Sequence, residues 1–162
     1  MTYKVAAYLR LSKKEYSNEK ESNSITNQKI IIDNYLKEHR EYKLIDYYID
    51  DGYSGTNFDR PEFQRMLEDI KNKKIDVILI KDLLRLGRNY IETGNFVEVV
   101  FPAMGVSVIS VDENYEIDSS DYYSDDYLAL KNLFNDMYAK DISKKVRSSL
   151  ILKKQMVNLL EN

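Results

Sequence analysis

The sequence contains no cysteine, no tryptophan, one histidine and two prolines in 162 residues. The lack of cysteine excludes a disulfide framework and thiolate metal sites, and it suits a protein of the reducing cytoplasm. A lone His39 argues against a His-built metal centre and against a Ser-His-Asp triad. It precedes Arg40 near the end of a helical pattern, where a cation favours the helix dipole. No stretch of 18 apolar residues occurs, and no signal-peptide pattern is visible. A cytoplasmic protein with no membrane partner is therefore expected. Excess positive charge is missing too: 24 Lys and Arg face 27 Asp and Glu, a net charge of −3. A self-sufficient DNA-binding domain is usually basic, so nucleic-acid binding would need a locally basic site. What is present is a hydrophobic content of 43%, enough for one domain with a core of its own.

The pattern along the chain alternates strand and helix. Tyr3 to Arg10 reads as a first strand, buried in its middle, with Ser12 just past its C-terminal end. The polar stretch 13–23 reads as a mobile loop. Ser24 is placed to cap a first helix whose inner face carries Ile25, Ile32, Tyr35 and Leu36. Leu44 to Ile49 is a second strand, ending in the glycine-rich turn Asp50 to Gly55. Pro61 opens a second helix, with Phe63, Met66, Leu67 and Ile70 at i, i+3, i+4, i+7. Ile75 to Ile80 is a third strand, and a third helix runs from Asn89 to Met104 with Gly105 as its cap. Val106 to Val111 is a fourth strand. Such alternation predicts an α/β fold, a central mostly parallel sheet of four or more strands flanked by helices. Asp112 to Asp126 reads as an acidic flexible loop. From Tyr122 onward the pattern is helical, with Leu130, Leu133, Phe134 and Met137 on one face. Ile142, Val146 and Leu150 continue that face after a phase shift near 139–141. This assigns residues 1–138 to a core domain and 139–162 to the start of a long helix. A helix of that length outruns a small domain, so 139–160 is expected to pack on another chain. The sequence stops inside the helical pattern, which suggests a piece of a longer protein.

The strand ends carry the chemistry. In open α/β proteins ligands sit at the C-terminal edge of the sheet. The first strand brings Arg10 and Ser12 there, the second Asp51 and then Arg60, and the third Arg85 and Arg88. An arginine fork matches phosphate oxygens, and two arginines three apart with Gly87 between them can converge on one anion. Singly these are ordinary: such arginines can be surface residues, and a serine after a strand is most often a loop residue or a cap. Jointly they can hold a phosphate, neutralise a transition state and lower the effective pKa of a serine that has no histidine to deprotonate it. Asp51 could orient an arginine or take part in proton transfer.

Four ordered motifs carry a resemblance. Tyr8-Leu-Arg-Leu-Ser12, Ser24-Ile-Thr-Asn-Gln28, Asp51-Gly-Tyr-Ser-Gly-Thr-Asn-Phe-Asp-Arg60-Pro61 and Arg85-Leu-Gly-Arg88 together resemble the catalytic domain of serine recombinases, the resolvase/invertase family. Their wording is most like the large serine recombinases of transposons and integrative elements. The resemblance implies Ser12 as nucleophile, Arg10, Arg60, Arg85 and Arg88 as phosphate ligands, and Gln28 beside the site. It implies cleavage of double-stranded DNA through a 5′-phosphoserine link, a homodimer that assembles into a synaptic homotetramer, and no metal, cofactor or small-molecule substrate. The long helix of the family forms the dimer interface and grips DNA. Lys140, Lys144, Lys145, Arg147, Lys153 and Lys154 would supply phosphate contacts there, although a basic helix face can equally be solvated. In such proteins further DNA-binding domains follow the catalytic one. One departure stands out: the family has a short polar residue before the first arginine of the pair, and here it is Leu84, expected to turn toward the apolar core.

Two other readings compete. A metal-dependent nuclease or Toprim-like domain could use Asp50, Asp51, Asp82 and Asp112 as oxygen ligands for Mg²⁺. A non-catalytic, flavodoxin-like phosphate-binding module is the third.

Overall fold

The computed structural model describes residues 1–16, 24–117, 136, 147 and 150–160. Five strands form one sheet in the order β2-β1-β3-β4-β5. They are β1 (Tyr3–Leu11), β2 (Tyr42–Asp51), β3 (Val77–Ile80), β4 (Ser107–Ser110) and β5 (Tyr115–Ile117). The first four are parallel, and β5 returns antiparallel to β4. Helices are α1 (Lys13–Tyr16), α2 (Ile25–Glu38), α3 (Pro61–Lys71), α4 (Tyr90–Asn95) and α5 (Phe101–Ala103).

The pleat explains the layers. Side chains alternate along a strand, so a strand covered on both faces reads as an unbroken apolar run. Val5, Ala7 and Leu9 of β1 pack with Val77, Leu79 and Ile109 under Ile32 of α2. Ala6 and Tyr8 face the other way, with Tyr48, Ile78, Ile80 and Val108, against Phe63, Met66 and Ile70 of α3. Ser24 caps α2 as its sequence suggests, its hydroxyl accepting from Asn27 N at 3.0 Å.

Three elements depart from the sequence reading. The helix expected over 89–104 starts on time, with Asn89 accepting from Ile91 N and Glu92 N, but Phe96–Val100 is wound as a π-helix between α4 and α5. The wider turn carries Phe96 in a ring cluster, 4.6 Å from Phe58, 5.4 Å from Phe63 and 5.6 Å from Phe101. The loop expected over 112–126 begins instead with a tight turn and β5; Asn114 takes the left-handed conformation (φ 53°) that asparagine tolerates. Lys13–Tyr16, read as loop, is a helical turn. Residues 150–160 are helical, and 136 and 147 fall in helix. The rest of the expected long helix, with Leu130, Leu133, Phe134, Met137, Lys140, Ile142, Lys144, Lys145 and Val146, lies outside the described residues. So do 17–23 of the expected loop.

Candidate active site

The sheet edge is built around two arginines that hold each other's backbone. β3 ends at Ile80 opposite Tyr8, so Arg10 projects its N–H and C=O past the last strand partner on that side. The side-chain amide of Gln28 on α2 takes that place: its Nε2 donates to Arg10 O at 3.0 Å, and its Oε1 accepts from Arg10 N at 3.4 Å. Arg85 Nη1 also donates to Arg10 O, at 2.7 Å. In return the Arg10 fork donates from Nε to Arg85 O (3.1 Å), from Nη2 to Leu84 O (2.6 Å) and from Nη1 to Tyr53 O (3.2 Å). Both arginines are buried. Ser12 follows directly after β1 and is buried as well.

Gly55 fits this arrangement because it has no side chain. A Cβ there would stand 2.8 Å from Arg10 Nη2 and 3.0 Å from Arg88 Cγ. Its carbonyl accepts from Arg88 N at 2.8 Å. Arg10 and Arg88 therefore meet over Gly55, and Arg88 is exposed.

Arg60 reaches the same turn from below. Its Nη1 donates to Tyr8 Oη (2.8 Å) and Arg85 O (3.3 Å), its Nη2 to Leu86 O, and its Nε to Asn57 O (3.0 Å). The guanidinium lies 4.9 Å from the Phe58 and Phe63 ring centroids and 5.5 Å from that of Tyr8. Burial lowers its pKa, an effect that Tyr8 and Asp50 oppose. The sequence placed Arg60 with the others; in the structure Arg10 and Arg60 both donate to carbonyls of the turn 83–88 that carries Arg85 and Arg88. Arg60, however, directs these bonds into the protein.

Asp50, not Asp51, is the carboxylate of this network. Asp50 is buried and accepts from Tyr8 Oη (2.8 Å), Glu62 N (3.0 Å) and Phe63 N (3.0 Å), so it also satisfies the first turn of α3. Burial drives the Tyr8 phenol far above the ordinary tyrosine range, so it stays a donor to Asp50 while accepting from Arg60. Asp51 ends β2 exposed, opposite Leu11. Tyr8 and Asp50 were missing from the expected site. The signal was there: a phenol inside a buried strand needs a partner, and strand parity puts position 50 on the same face as Tyr48.

The Leu84 expectation fails. Leu83 and Leu86 enter the core, but Leu84 is half-buried, belongs to neither core cluster and contributes its carbonyl to Arg10. The metal reading also finds no support. Asp50 is committed as described, Asp82 faces Arg85 and Lys81, and Asp112 faces Lys81 at 3.7 Å. Among the described residues no three carboxylate or histidine side chains converge as a ligand set.

A serine and an arginine cluster at the C-terminal edge of a parallel sheet define an α/β domain suited to chemistry at a phosphate. The resolvase N-terminal domain family model matches residues 5–157, and the chain belongs to that family, as a serine recombinase catalytic domain. It is similar to the N-terminal catalytic domain of TP901-1 integrase at 27% identity, covering 88% of this chain and 96% of that one with a TM-score of 0.65. A resolvase family site-specific recombinase from Streptococcus pneumoniae is 25% identical over 95% and 99% of the two chains, with a TM-score of 0.63. The C-terminal catalytic domain of ISC1926 TnpA, an IS607-like serine recombinase, is 28% identical over 67% of each, with a TM-score of 0.54. None of the curated proteins matches the sequence. No helix among the described residues is long and apolar enough to cross a membrane.

Proposed function

We propose that Ser12 attacks a DNA phosphodiester at the edge defined by Arg10, Arg85 and Arg88. Its Oγ bonds to phosphorus, the bond to the 3′ oxygen breaks, and the serine proton ends on the departing 3′-hydroxyl. The 5′-phosphoserine link keeps the energy of the original bond, so reversal of the same step rejoins strands without a nucleotide. The single observation behind this is the Arg10–Arg85 clasp at the end of β1, two residues before Ser12. The clasp commits the Arg10 Nε, Nη1 and Nη2 donors to backbone carbonyls, so its part is to fix Arg85 in place; the forks of Arg85 and Arg88 would meet the charge developing on the phosphoryl oxygens. Arg88, exposed at the rim, is the arginine best placed to meet incoming DNA. Gln28 fixes the backbone of Arg10 rather than reaching the phosphate. Asp51, exposed beside Leu11, remains a candidate for orienting DNA or moving a proton.

A chelator separates this reading from a metal-dependent nuclease. Cleavage of a supercoiled plasmid carrying the DNA that borders the gene should be unchanged in EDTA. Activity that vanishes with EDTA and returns with Mg²⁺ would favour the nuclease.

The partner in this reading is double-stranded DNA in the cytoplasm, approached by a homodimer and cut within a synaptic homotetramer. In this reading the helix expected from the sequence over 139–160 would supply the pairing stripe of Ile142, Val146 and Leu150 and the basic residues Lys140, Lys144, Lys145, Arg147, Lys153 and Lys154. Leu150, Ile151 and Leu152 expose about six-tenths of their surface, and Leu159 and Leu160 more, which a lone chain in water would cover if it could. Sedimentation of the 162-residue chain should therefore show concentration-dependent dimers. A monomer at high concentration, with this helix folded back on its own sheet, would contradict the pairing.

A further inference from the structure

The turn before Arg85 contains a carboxylate that breaks a local rule. Asp82 is the N-cap of the short 3₁₀ turn Leu83–Arg85, with extended backbone (φ −147°, ψ 165°), yet its side chain makes no capping bond. Aspartate at such a position ordinarily accepts from the amides that follow. Here Leu83 N donates instead to Glu113 Oε1 at 3.3 Å, a residue 30 positions away whose other oxygen is held by Ser110 Oγ. Burial raises the Glu113 carboxyl above its ordinary range.

With that amide satisfied from the turn between β4 and β5, Asp82 turns its Oδ1 to Arg85 Nε at 3.3 Å. Its Oδ2 faces Lys81 Nζ at 3.7 Å, and that ammonium also faces Asp112 Oδ2 at 3.7 Å. The Arg85 fork is thus held by Nη1 on Arg10 O and by Nε on Asp82. Leu84, the residue next to Arg85, offers only its backbone.

Resting on the recombinase reading above, we propose that Asp82 is the positioning residue for Arg85, performing from three residues upstream the orienting role that Leu84 cannot. It does not touch the phosphate; it sets the rotation of the fork that does. The whole encoded protein carrying Asp82→Ala should form the covalent DNA adduct about 10- to 150-fold more slowly, the range set by one hydrogen bond between charged groups. DNA affinity should change little, and rates are compared well below the melting range, because Arg85 and Lys81, both buried, lose a carboxylate partner. Asp82→Asn, which keeps an acceptor of the same shape, should fall between. The decisive variant is Asp82→Ala with Leu84→Asp, where a carboxylate adjacent to Arg85 should restore most of the lost rate. Leu84→Asp alone should gain nothing. A role confined to stability would not be rescued this way.

In the 162-residue chain, ¹⁵N-arginine spectra give a second measure that needs no DNA. Exchange of the Arg85 Nε proton should speed up in Asp82→Ala and slow again in the double variant. Adduct formation at the wild-type rate in folded Asp82→Ala, or a double variant as slow as the single one, would overturn the proposal. A wild-type protein that forms no adduct would instead refute the recombinase chemistry, and Nε exchange would still decide whether Asp82 holds Arg85.

Discussion

Ser12→Ala is expected to eliminate the covalent protein–DNA species while leaving duplex binding near wild-type. In the proposed step the serine oxygen is the atom that bonds to phosphorus, so its removal takes away the reaction rather than slowing a helper. Loss of a nucleophile in other covalent enzymes costs about 10⁶-fold in rate, so no adduct should be detectable. Binding should barely change, because one neutral hydroxyl contributes only about 1 kcal/mol when hydrogen-bonded. The fold should also persist, since alanine fills most of the volume of serine at a buried strand end. The measurement is gel detection of adduct on a nicked duplex, paired with a mobility-shift titration. An adduct that survives and maps by mass spectrometry to Tyr8 or Ser54 would transfer the nucleophile role elsewhere.

Arg60→Ala is expected to have the second-largest effect, on stability before activity. The Arg60 side chain is 1% exposed and satisfies the carbonyls of Asn57, Arg85 and Leu86 along with the Tyr8 hydroxyl. Removing one member of a buried charged network costs about 3–5 kcal/mol, because its partners are left desolvated and unpaired. A domain of this size holds about 5–15 kcal/mol in total, so the variant should lose a large fraction of its urea midpoint. Arg60→Lys should not rescue it: a single ammonium cannot span acceptors on both sides of a planar fork. Were Arg60→Ala to melt like wild-type and fail only in cleavage, Arg60 would be a phosphate ligand rather than a structural tie.

The difference between those two residues shows what the sequence could and could not convey. Ser12 lies one step past an apolar strand, so its place at the C-terminal edge of the sheet follows from local pattern alone. The strand parity that separates Asp50 from Asp51 was equally local; Tyr48 marks the face. The direction of the Arg60 fork was not local, since its acceptors at 85 and 86 lie 25 and 26 residues downstream. Leu84 misled for a related reason. A leucine beside a buried strand suggests a core position, but the 3₁₀ turn sends Leu83 and Leu86 inward and leaves Leu84 between them. β5 was hidden because three residues with one asparagine turn give too short a pattern to distinguish from loop. The Tyr8–Asp50 bond spans 42 residues and needs the assembled sheet, whereas Asp82 meets Arg85 three residues on within one turn.

The clasp between Arg10 and Arg85 joins positions 75 apart in the chain, and it closes only when β1 and β3 lie side by side. A polypeptide still emerging from the ribosome has Arg10 and Ser12 long before it has Arg85. Until the later strand docks, Arg10 and Ser12 lie apart from Arg85 and Arg88, the charges that the proposed step calls on. Loop closure over that span is slow to form and is lost when the sheet opens. Under the proposed chemistry, a nascent or truncated chain without β3 would therefore hold the serine but not the charges meant to serve it.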